Sequence, residues 1–152
     1  MSTLERAIAI AAEAHAGQVD KAGAPYVLHP LRMMLRVNSN DARIVAVLHD
    51  VCEDCPGWDF DRLRREGFSE PIIVALQSVT KRDGEDYEAF VRRAAANPIG
   101  RAVKLADLED NCDLTRIAAP SERDFARIEK YRRAIALITS DERPQVSAER
   151  QP

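Results

Sequence analysis

The stretch that decides the fold is residues 44–54, which reads Ile-Val-Ala-Val-Leu-His-Asp-Val-Cys-Glu-Asp. If this apolar run is helical, residues four apart share a face, so His49 lies beside Glu53. By the same spacing, Asp50 lies beside Asp54. Ionisable groups crowded at the end of a buried helix cost free energy unless a cation or a substrate offsets their charge. We therefore interpret the stretch as part of a functional site; a solvated acidic helix end is the alternative.

Apolar residues outside this stretch also recur three and four positions apart, which is the period of an α-helix. Together with residues 42–50, the segments predicted to be helical are 2–15, 28–37, 59–66, 69–79, 85–96, 97–111 and 121–138. No segment shows sustained period-two alternation of β-branched residues bounded by turns. The sequence therefore predicts an all-α fold, a single-domain helical bundle of roughly seven or eight helices.

The composition is that of a globular protein with one core. The chain has 152 residues, of which 45% are hydrophobic and 31% are charged, so it is long enough to bury a sizeable core. Residues 141–152 are polar and contain proline. We predict one domain over residues 1–140, followed by a frayed C-terminal tail over residues 141–152.

The charge balance argues against a polyanionic macromolecule as the partner. Lys plus Arg number 22 against 25 Asp plus Glu, giving a formal net charge of -3, so no overall basic field attracts nucleic acid. The start of the chain has no basic segment leading into an apolar one, and no run approaches the ~18 apolar residues of a membrane span. We predict a cytoplasmic protein with no nucleic-acid or membrane partner. The sequence indicates no oligomeric state.

The cysteines predict no disulfide framework. There are three of them, Cys52, Cys55 and Cys112, an odd number in a chain without a secretion signal, so we expect reduced thiols. Cys52 and Cys55 have C-x-x-C spacing, but the strand and helix pattern expected beside a redox motif is missing. A zinc site that also recruits Cys112 is a lesser alternative.

Four residues could bind a divalent cation through nitrogen and oxygen atoms. Such a cation needs neutral imidazoles and ionised carboxylates from separate elements, because one short segment rarely surrounds an ion. The residues that meet this need are His29, His49, Asp50 and Asp107. On these grounds alone, a histidine at a predicted helix start such as His29 is more often a helix cap or a hydrogen-bonded polar residue than a metal ligand.

Four motifs carry a resemblance to a known family. They are Ala-His-Ala-Gly-Gln at 14–18, Lys-Ala-Gly-Ala-Pro-Tyr-Val-Leu-His-Pro at 21–30, Leu-His-Asp with Glu53 and Asp54 at 48–54, and Val-Lys-Leu-Ala-Asp with Asn111 at 103–111. Their order and spacing resemble the HD-superfamily hydrolase domain of the RelA/SpoT type, over about Leu4 to Ile138. The chain length is similar to that of the small stand-alone alarmone hydrolases of the stringent response. The resemblance implies a helical HD-type domain.

The resemblance also implies a metal centre and a reaction. In the family, the matching histidines and aspartates hold one divalent cation, commonly manganese, which assigns His29, His49, Asp50 and Asp107 as ligands here. The implied reaction is removal of the 3′-pyrophosphate from (p)ppGpp-like nucleotides. It needs a water made nucleophilic by a metal that lowers its pKa and by a carboxylate that takes its proton. The family's acidic pair corresponds to Glu53 and Asp54, which we expect to orient and deprotonate that water.

The same resemblance implies two contacts with the nucleotide. Lys21 matches a basic residue that contacts the nucleotide in relatives, and an ammonium suits phosphate oxygens as a point charge. A solvated loop lysine is the alternative. Asn111 matches an asparagine near the sugar, although a hydrogen bond within its own helix would also explain it. We expect His15, on the apolar side of the first helix, to be a structural residue that lines the site.

One departure from the family affects base recognition. Where guanosine hydrolases of this family often have an arginine just before the matching lysine, able to stack on the base, this chain has Asp20. Adenosine alarmones such as (p)ppApp, or other nucleotides, therefore remain alternative substrates for an HD-type phosphohydrolase. A catalytically silent nucleotide-binding regulator is a further alternative, but a regulator should have lost at least one of the six implied metal and acidic site residues. Cys55 also replaces a common threonine, with little expected effect.

Overall fold

Nine α-helical segments form the part of the chain that the computed structural model describes, residues 1–140. They are α1 Leu4–Ala14, α2 Leu28–Arg36, α3 Asn40–Leu48, α4 Val51–Asp54, α5 Phe60–Arg65, α6 Glu70–Ser78, α7 Tyr87–Ala96, α8 Pro98–Asn111 and α9 Glu122–Ser140. The prediction of an all-α fold is confirmed. In these residues the only β-type pairing is an isolated bridge between Val19 and Pro25. The predicted tail, 141–152, lies outside the described residues, so the domain division stays a prediction.

The helix predicted over residues 42–50, with its continuation toward Asp54, differs from the structure in one respect. Helix α3 ends at Leu48, and α4 begins only at Val51. Between them Asp50 has φ -103 and ψ 0, the sparsely populated bridge region of backbone conformation. The Asp54 amide still donates to the Asp50 carbonyl at 2.9 Å, so helical hydrogen bonding resumes at once. The division of this stretch accounts for the ninth segment.

Helix α3 is the centre of the main hydrophobic core. Its buried residues are Ala42, Ile44, Val45, Ala46, Val47 and Leu48, an almost uninterrupted apolar run. The run is continuous because α3 packs against α1, α2, α6 and α8, so apolar neighbours surround it. The end of α3, which carries His49, is therefore held in a fixed position inside the protein.

Helix α8 is the second element that positions the site. It packs against α2, α3, α6, α7 and α9. A smaller apolar cluster joins α7, α8 and α9, and its buried members are Val91, Leu108, Ala134 and Ile138. Because α2 packs against both α3 and α8, side chains from these three elements can meet.

All three cysteines are free thiols, as the sequence predicts. Burial raises the pKa of the Cys52 thiol to about 12, so this residue is a poor nucleophile at neutral pH. Within residues 1–140, no helix is both long enough and apolar enough to cross a membrane. The cytoplasmic location stays a prediction.

Candidate active site and metal centre

Ligand atoms from four side chains lie close together at the junction of α2, α3 and α8. His29, His49 and Asp50 each offer one ligand atom, and these atoms lie within 4.8 Å of one another. Asp107 approaches from α8, with its Oδ1 3.0 Å from His29 Nε2 and 3.8 Å from His49 Nε2. The structure thus brings together the four residues that the sequence predicts as cation ligands. No cysteine belongs to a cluster of this kind within the described part of the chain.

The break between α3 and α4 directs His49 and Asp50 toward the same point. In a continuous helix, adjacent side chains point about 100° apart. Here the turn at Asp50 brings its Oδ2 to 2.9 Å from His49 Nε2. The close pair therefore depends on the interruption that the sequence did not predict.

His49 has the bonding of a neutral imidazole ligand. Its Nδ1 lies 2.8 Å from the Ala46 carbonyl, which can only accept, so Nδ1 carries the hydrogen. In the neutral ring Nε2 then presents a lone pair, and this buried atom makes no hydrogen bond. Its close approach to Asp50 lacks the direction of a hydrogen bond, and two electron-rich atoms so placed repel each other unless a cation binds both. The donor set of imidazole nitrogens and carboxylates therefore fits a divalent metal ion.

The electrostatics of the site also favour positive charge at this point. Burial opposes protonation of His29, but hydrogen bonds to Asp107 and Asp110 raise its pKa to about 9. Burial likewise opposes protonation of His49, yet the charge of Asp50 raises its pKa. Burial would raise the pKa of Asp107, but Lys104 and the two histidines hold it well below its usual range. The carboxylates are therefore ionised and available to a cation.

Two carboxylates of the site are held by residues to which the sequence analysis gave no role. The Tyr26 hydroxyl donates to Asp50 Oδ2. The Lys104 ammonium lies 3.1 Å from Asp107 Oδ2. Lys104 precedes Asp107 by one helical turn, and Tyr26 stands within the motif at 21–30, so spacing and motif membership were the available signals.

Asn111 has the contact within its own helix that was the alternative to a substrate role. Its Nδ2 donates to Asp107 Oδ1 at 2.9 Å. The side chain also lines the adjoining cavity, so the same residue can touch a ligand. His15 is buried, with Nδ1 2.8 Å from Gln18 Oε1 and its ring 4.9 Å from that of Tyr26. This position beside Tyr26 fits the structural role expected for His15.

Glu53 and Asp54 lie on α4, one turn after Asp50, and both are exposed. They are not among the residues that line the cavity beside the cluster. Although both residues are exposed, neighbouring protein atoms partly shield each carboxyl from water and so raise its pKa, and the charge of Asp50 raises both further. They are therefore close enough to the cluster for its charge to shift their pKa values. A carboxyl group with a raised pKa is better suited to accept a proton.

A cavity of about 530 Å³ opens beside the cluster. Its basic side chains are Lys21, Arg32, Arg116 and Arg127, and three of these were not singled out in the sequence. The arginines have carboxylate partners: Asp110 at 2.8 Å, Asp113 at 3.0 Å and Asp124 at 2.6 Å respectively. Lys21 forms no such pair in residues 1–140. The cavity therefore offers one free ammonium and several neutralised guanidinium groups to an anionic ligand.

Asp20 shapes the loop that carries Lys21. Its Oδ1 accepts from the Ala22 amide at 2.9 Å and from the Ala24 amide at 3.0 Å. Its own amide donates to the Ala24 carbonyl at 2.8 Å, and Gly23 supplies the positive φ of +82° that the turn requires. Asp20 therefore has a structural role in the loop.

Asp110 is the site residue that the sequence analysis missed most completely. It is fully buried, and its Oδ2 lies 2.7 Å from His29 Nδ1. Its position three residues after Asp107 on the same helix was the only local signal.

An all-helical fold in which two histidines and two aspartates converge beside a cavity lined by lysine and arginine side chains is consistent with the class of helical HD-type domains. No protein-family model matches the chain. Curated relatives do. The chain is 30% identical over 120 residues to the guanosine-3′,5′-bis(diphosphate) 3′-pyrophosphohydrolase of Aquifex aeolicus, an alignment that covers 71% of this chain and 17% of the relative. It is 30% identical over 137 residues to the bifunctional (p)ppGpp synthase/hydrolase SpoT of Escherichia coli, an alignment that covers 79% of this chain and 19% of the relative.

A GTP pyrophosphokinase of Streptomyces coelicolor is 33% identical over 117 residues, covering 68% of this chain and 14% of the relative. The chain belongs to the HD-superfamily hydrolase domains of the RelA/SpoT type. It spans less than a fifth of the length of these relatives. The match therefore concerns one part of larger proteins, and one of these relatives is named as both a synthase and a hydrolase.

Proposed function

We propose that this protein is a metal-dependent hydrolase that removes the 3′-pyrophosphate from (p)ppGpp-like nucleotides. The observation that carries the proposal is the convergence of His29, His49 and Asp50 ligand atoms within 4.8 Å, beside a cavity with basic side chains. Similarity to relatives named as guanosine-3′,5′-bis(diphosphate) 3′-pyrophosphohydrolases supports the substrate class. Other relatives are named pyrophosphokinases, but a cluster of imidazole and carboxylate donors suits activation of water and so favours hydrolysis.

The residues proposed to hold the cation are His29, His49, Asp50 and Asp107, and the proposed metal is Mn²⁺. When bound, a divalent cation lowers the pKa of water and offsets the charge of phosphate oxygens. The lone pair on buried His49 Nε2 and the ionised Asp107 support this donor set. Imidazole and carboxylate ligands together suit a first-row divalent metal such as manganese.

The proposed acid–base residues are Glu53 and Asp54. The water oxygen forms a bond to the phosphorus atom that is attached to the 3′ oxygen of the sugar. The bond between that phosphorus and the 3′ oxygen breaks. One of the two carboxylates takes a proton from the water, and the 3′ oxygen takes a proton as pyrophosphate leaves. The raised pKa of both carboxyls supports a role as proton acceptor near neutral pH.

Lys21 is the proposed phosphate contact and Asn111 the proposed sugar contact. Both side chains line the cavity, and Lys21 has no carboxylate partner in the described residues. A volume of about 530 Å³ is within the range of small-ligand pockets. The arginines of the cavity, neutralised by neighbouring carboxylates, limit the net positive charge and so disfavour a nucleic-acid strand.

A second candidate substrate is an adenosine alarmone such as ppApp. Asp20 carries this alternative, because its carboxylate accepts two amide hydrogens of its own loop and cannot stack on a base as an arginine can. A nucleotide-binding regulator without turnover is the alternative from another functional class.

One experiment separates these candidates. The purified protein is incubated with Mn²⁺ and, separately, ppGpp, ppApp, GTP and ATP, and the products are identified by anion-exchange chromatography. We expect release of pyrophosphate together with GDP from ppGpp. Preferential turnover of ppApp would support the second candidate, and binding without turnover of any nucleotide would support the regulator. Asp50→Asn should abolish both Mn²⁺ binding and turnover; full manganese occupancy in that variant would contradict the ligand assignment.

A further inference from the structure

Asp110 is a buried carboxylate that makes an unusually complete set of contacts. It has no exposed surface. His29 Nδ1 lies 2.7 Å from its Oδ2. Arg32 donates to both of its oxygens, through Nε at 2.8 Å and Nη2 at 3.0 Å. Arg116 Nη2 lies 3.5 Å from Oδ2 and also donates to the Asp110 backbone carbonyl at 3.1 Å. The carboxylate is therefore fixed from three directions.

The contact with Asp110 determines how the His29 ring is used. Asp110 and Asp107 face the two ring nitrogens, and both carboxylates can only accept. When a cation takes Nε2, the one hydrogen of the neutral ring is therefore on Nδ1, where Asp110 accepts it. The lone pair is then on Nε2, the nitrogen that faces Asp107 at 3.0 Å and belongs to the ligand cluster. A metal-binding histidine needs this arrangement, in which a partner on the far nitrogen fixes both tautomer and ring orientation.

Arg32 makes this arrangement rigid. It follows His29 by three residues, so the two side chains share a face of α2 and both reach Asp110 on α8. A buried carboxylate without a charged partner would be costly, and a bidentate guanidinium fixes both oxygens in one plane. The orientation of the imidazole is thus set by a pair of residues that have no atom in the ligand cluster.

We propose that Asp110, held by Arg32, is a positioning residue that orients His29 for binding of the divalent cation. The inference rests on the metal centre of the proposed function. It goes beyond the four ligands because it assigns part of the metal affinity to two residues that never touch the cation. An ion pair that merely joins α2 to α8 is the competing explanation.

The test compares Asp110→Asn with a matched variant elsewhere in the protein. An amide can accept from Nδ1 or donate to it, so asparagine no longer fixes the tautomer of His29. The control is Glu66→Gln, which breaks another bidentate pair, since Arg6 donates to both Glu66 oxygens at 2.9 Å. Mn²⁺ dissociation constants are measured by electron paramagnetic resonance of the free ion. Visible spectra of the Co²⁺-loaded proteins report ligand geometry, and thermal unfolding without metal reports stability.

We expect Asp110→Asn to weaken Mn²⁺ binding by about 10- to 100-fold and to change the Co²⁺ spectrum. Glu66→Gln should leave both unchanged, whatever its effect on stability. Wild-type Mn²⁺ affinity and an unchanged Co²⁺ spectrum in Asp110→Asn would overturn the inference and leave only an ion pair between helices. If that variant does not fold, Arg32→Gln decides: a several-fold weaker affinity supports the inference, and an unchanged affinity overturns it. Failure of the wild-type protein to bind Mn²⁺ would instead overturn the proposed metal centre itself.

Discussion

Lys21 differs from the other cations of the cavity in having no carboxylate partner within residues 1–140. Arg127, for example, lies 2.6 Å from Asp124. A phosphate binds more strongly to a cation without a carboxylate partner than to one whose charge a neighbouring carboxylate already offsets. At the scale of single residues, Lys21 is thus the strongest candidate for discriminating charged from uncharged ligands.

We expect Lys21→Met to lower kcat/KM for the alarmone substrate while leaving stability unchanged. Loss of a hydrogen bond to a charged group costs roughly 1.5–3 kcal/mol, which corresponds to at least about a 10-fold fall in kcat/KM. Lys21 is exposed, so its replacement should not affect the melting temperature. Lys81→Met, at another exposed loop lysine, is the control. Equal kcat/KM values for the two variants would rule out the assigned role of Lys21.

The sequence could predict the candidate ligand residues but not what orients them. Histidine and aspartate types in family motifs pointed to His49 and His29. The partner of His49 is the backbone carbonyl of Ala46, 2.8 Å away, and that of His29 is Asp110, 81 positions along the chain. Neither contact can be predicted from the spacing of residue types. The first involves a backbone carbonyl, and the second depends on how α2 packs against α8.

At the scale of elements, the loop of residues 19–25 owes its shape to Asp20. The carboxylate accepts from two amides, Ala22 and Ala24, and the Val19–Pro25 bridge closes the loop. These bonds hold Lys21 at the rim of the cavity. Asp20 therefore contributes both a negative charge and the internal hydrogen bonds of the loop.

We expect Asp20→Ala to raise KM and Asp20→Asn to leave it close to the wild-type value. The amide oxygen of asparagine can accept the same two hydrogens, whereas alanine cannot accept any. Loss of two exposed or half-buried hydrogen bonds costs about 1 kcal/mol each, enough to let the loop sample other conformations. Steady-state kinetics of both variants provide the measurement. A large KM increase in Asp20→Asn would show that the charge of Asp20 matters rather than its loop contacts.

An ion pair and two further hydrogen bonds of one arginine connect α6 to α7. Arg93 donates to both oxygens of Glu85, at 2.7 and 2.9 Å, and to the carbonyls of Gln77 and Thr80, at 2.8 and 2.7 Å. Hydrogen bonds from the Arg93 side chain, and then from the Arg82 backbone, lower the pKa of Glu85 to about 2. The connection between the helices is thus fixed by one ion pair.

This ion pair predicts a specific dependence of stability on pH. The folded-state pKa of Glu85 is depressed from 4.5 to about 2, so its contribution is fully present above pH 4.5 and is lost as the pH falls toward 2. Glu85→Gln should therefore have a lower melting temperature than wild type near neutral pH, and the difference should shrink below pH 4.5. Thermal unfolding across this range is the measurement. Glu88→Gln, which breaks the exposed pair with Arg92, should show little difference at any pH.

The elements themselves were largely predictable, because apolar spacing determines which face of each helix is buried. The break after Leu48 was not. Residues 49 and 50 are neither glycine nor proline, so nothing local marks an interruption. The turn coincides with contacts made by distant residues, notably the hydroxyl of Tyr26 on Asp50. Tertiary contacts of this kind override a local helical pattern at functional sites.

At the scale of the whole molecule, the candidate metal centre joins three parts of the chain. His29 comes from α2, His49 and Asp50 from the junction after α3, and Asp107 from α8. These helices also form the main packing contacts around the core. A cation bound there would cross-link the core from its polar end, so its binding free energy should appear as folding stability.

We expect Mn²⁺ to raise the melting temperature and EDTA to reverse the rise. A ligand that binds only the folded state stabilises it by about 2.7 kcal/mol when its concentration is 100 times its dissociation constant. Without metal, the clustered carboxylates Asp50 and Asp107 repel each other, and relief of that repulsion is part of the gain. Asp50→Asn removes one of these charges. Its melting temperature should therefore not rise with Mn²⁺, and without metal it should be destabilised less by carboxylate repulsion than the wild type. Differential scanning fluorimetry with Mn²⁺, with Mg²⁺ and with EDTA measures all three states. An equal Mn²⁺-dependent rise in wild type and Asp50→Asn would mean that the stabilising ion binds elsewhere on the protein.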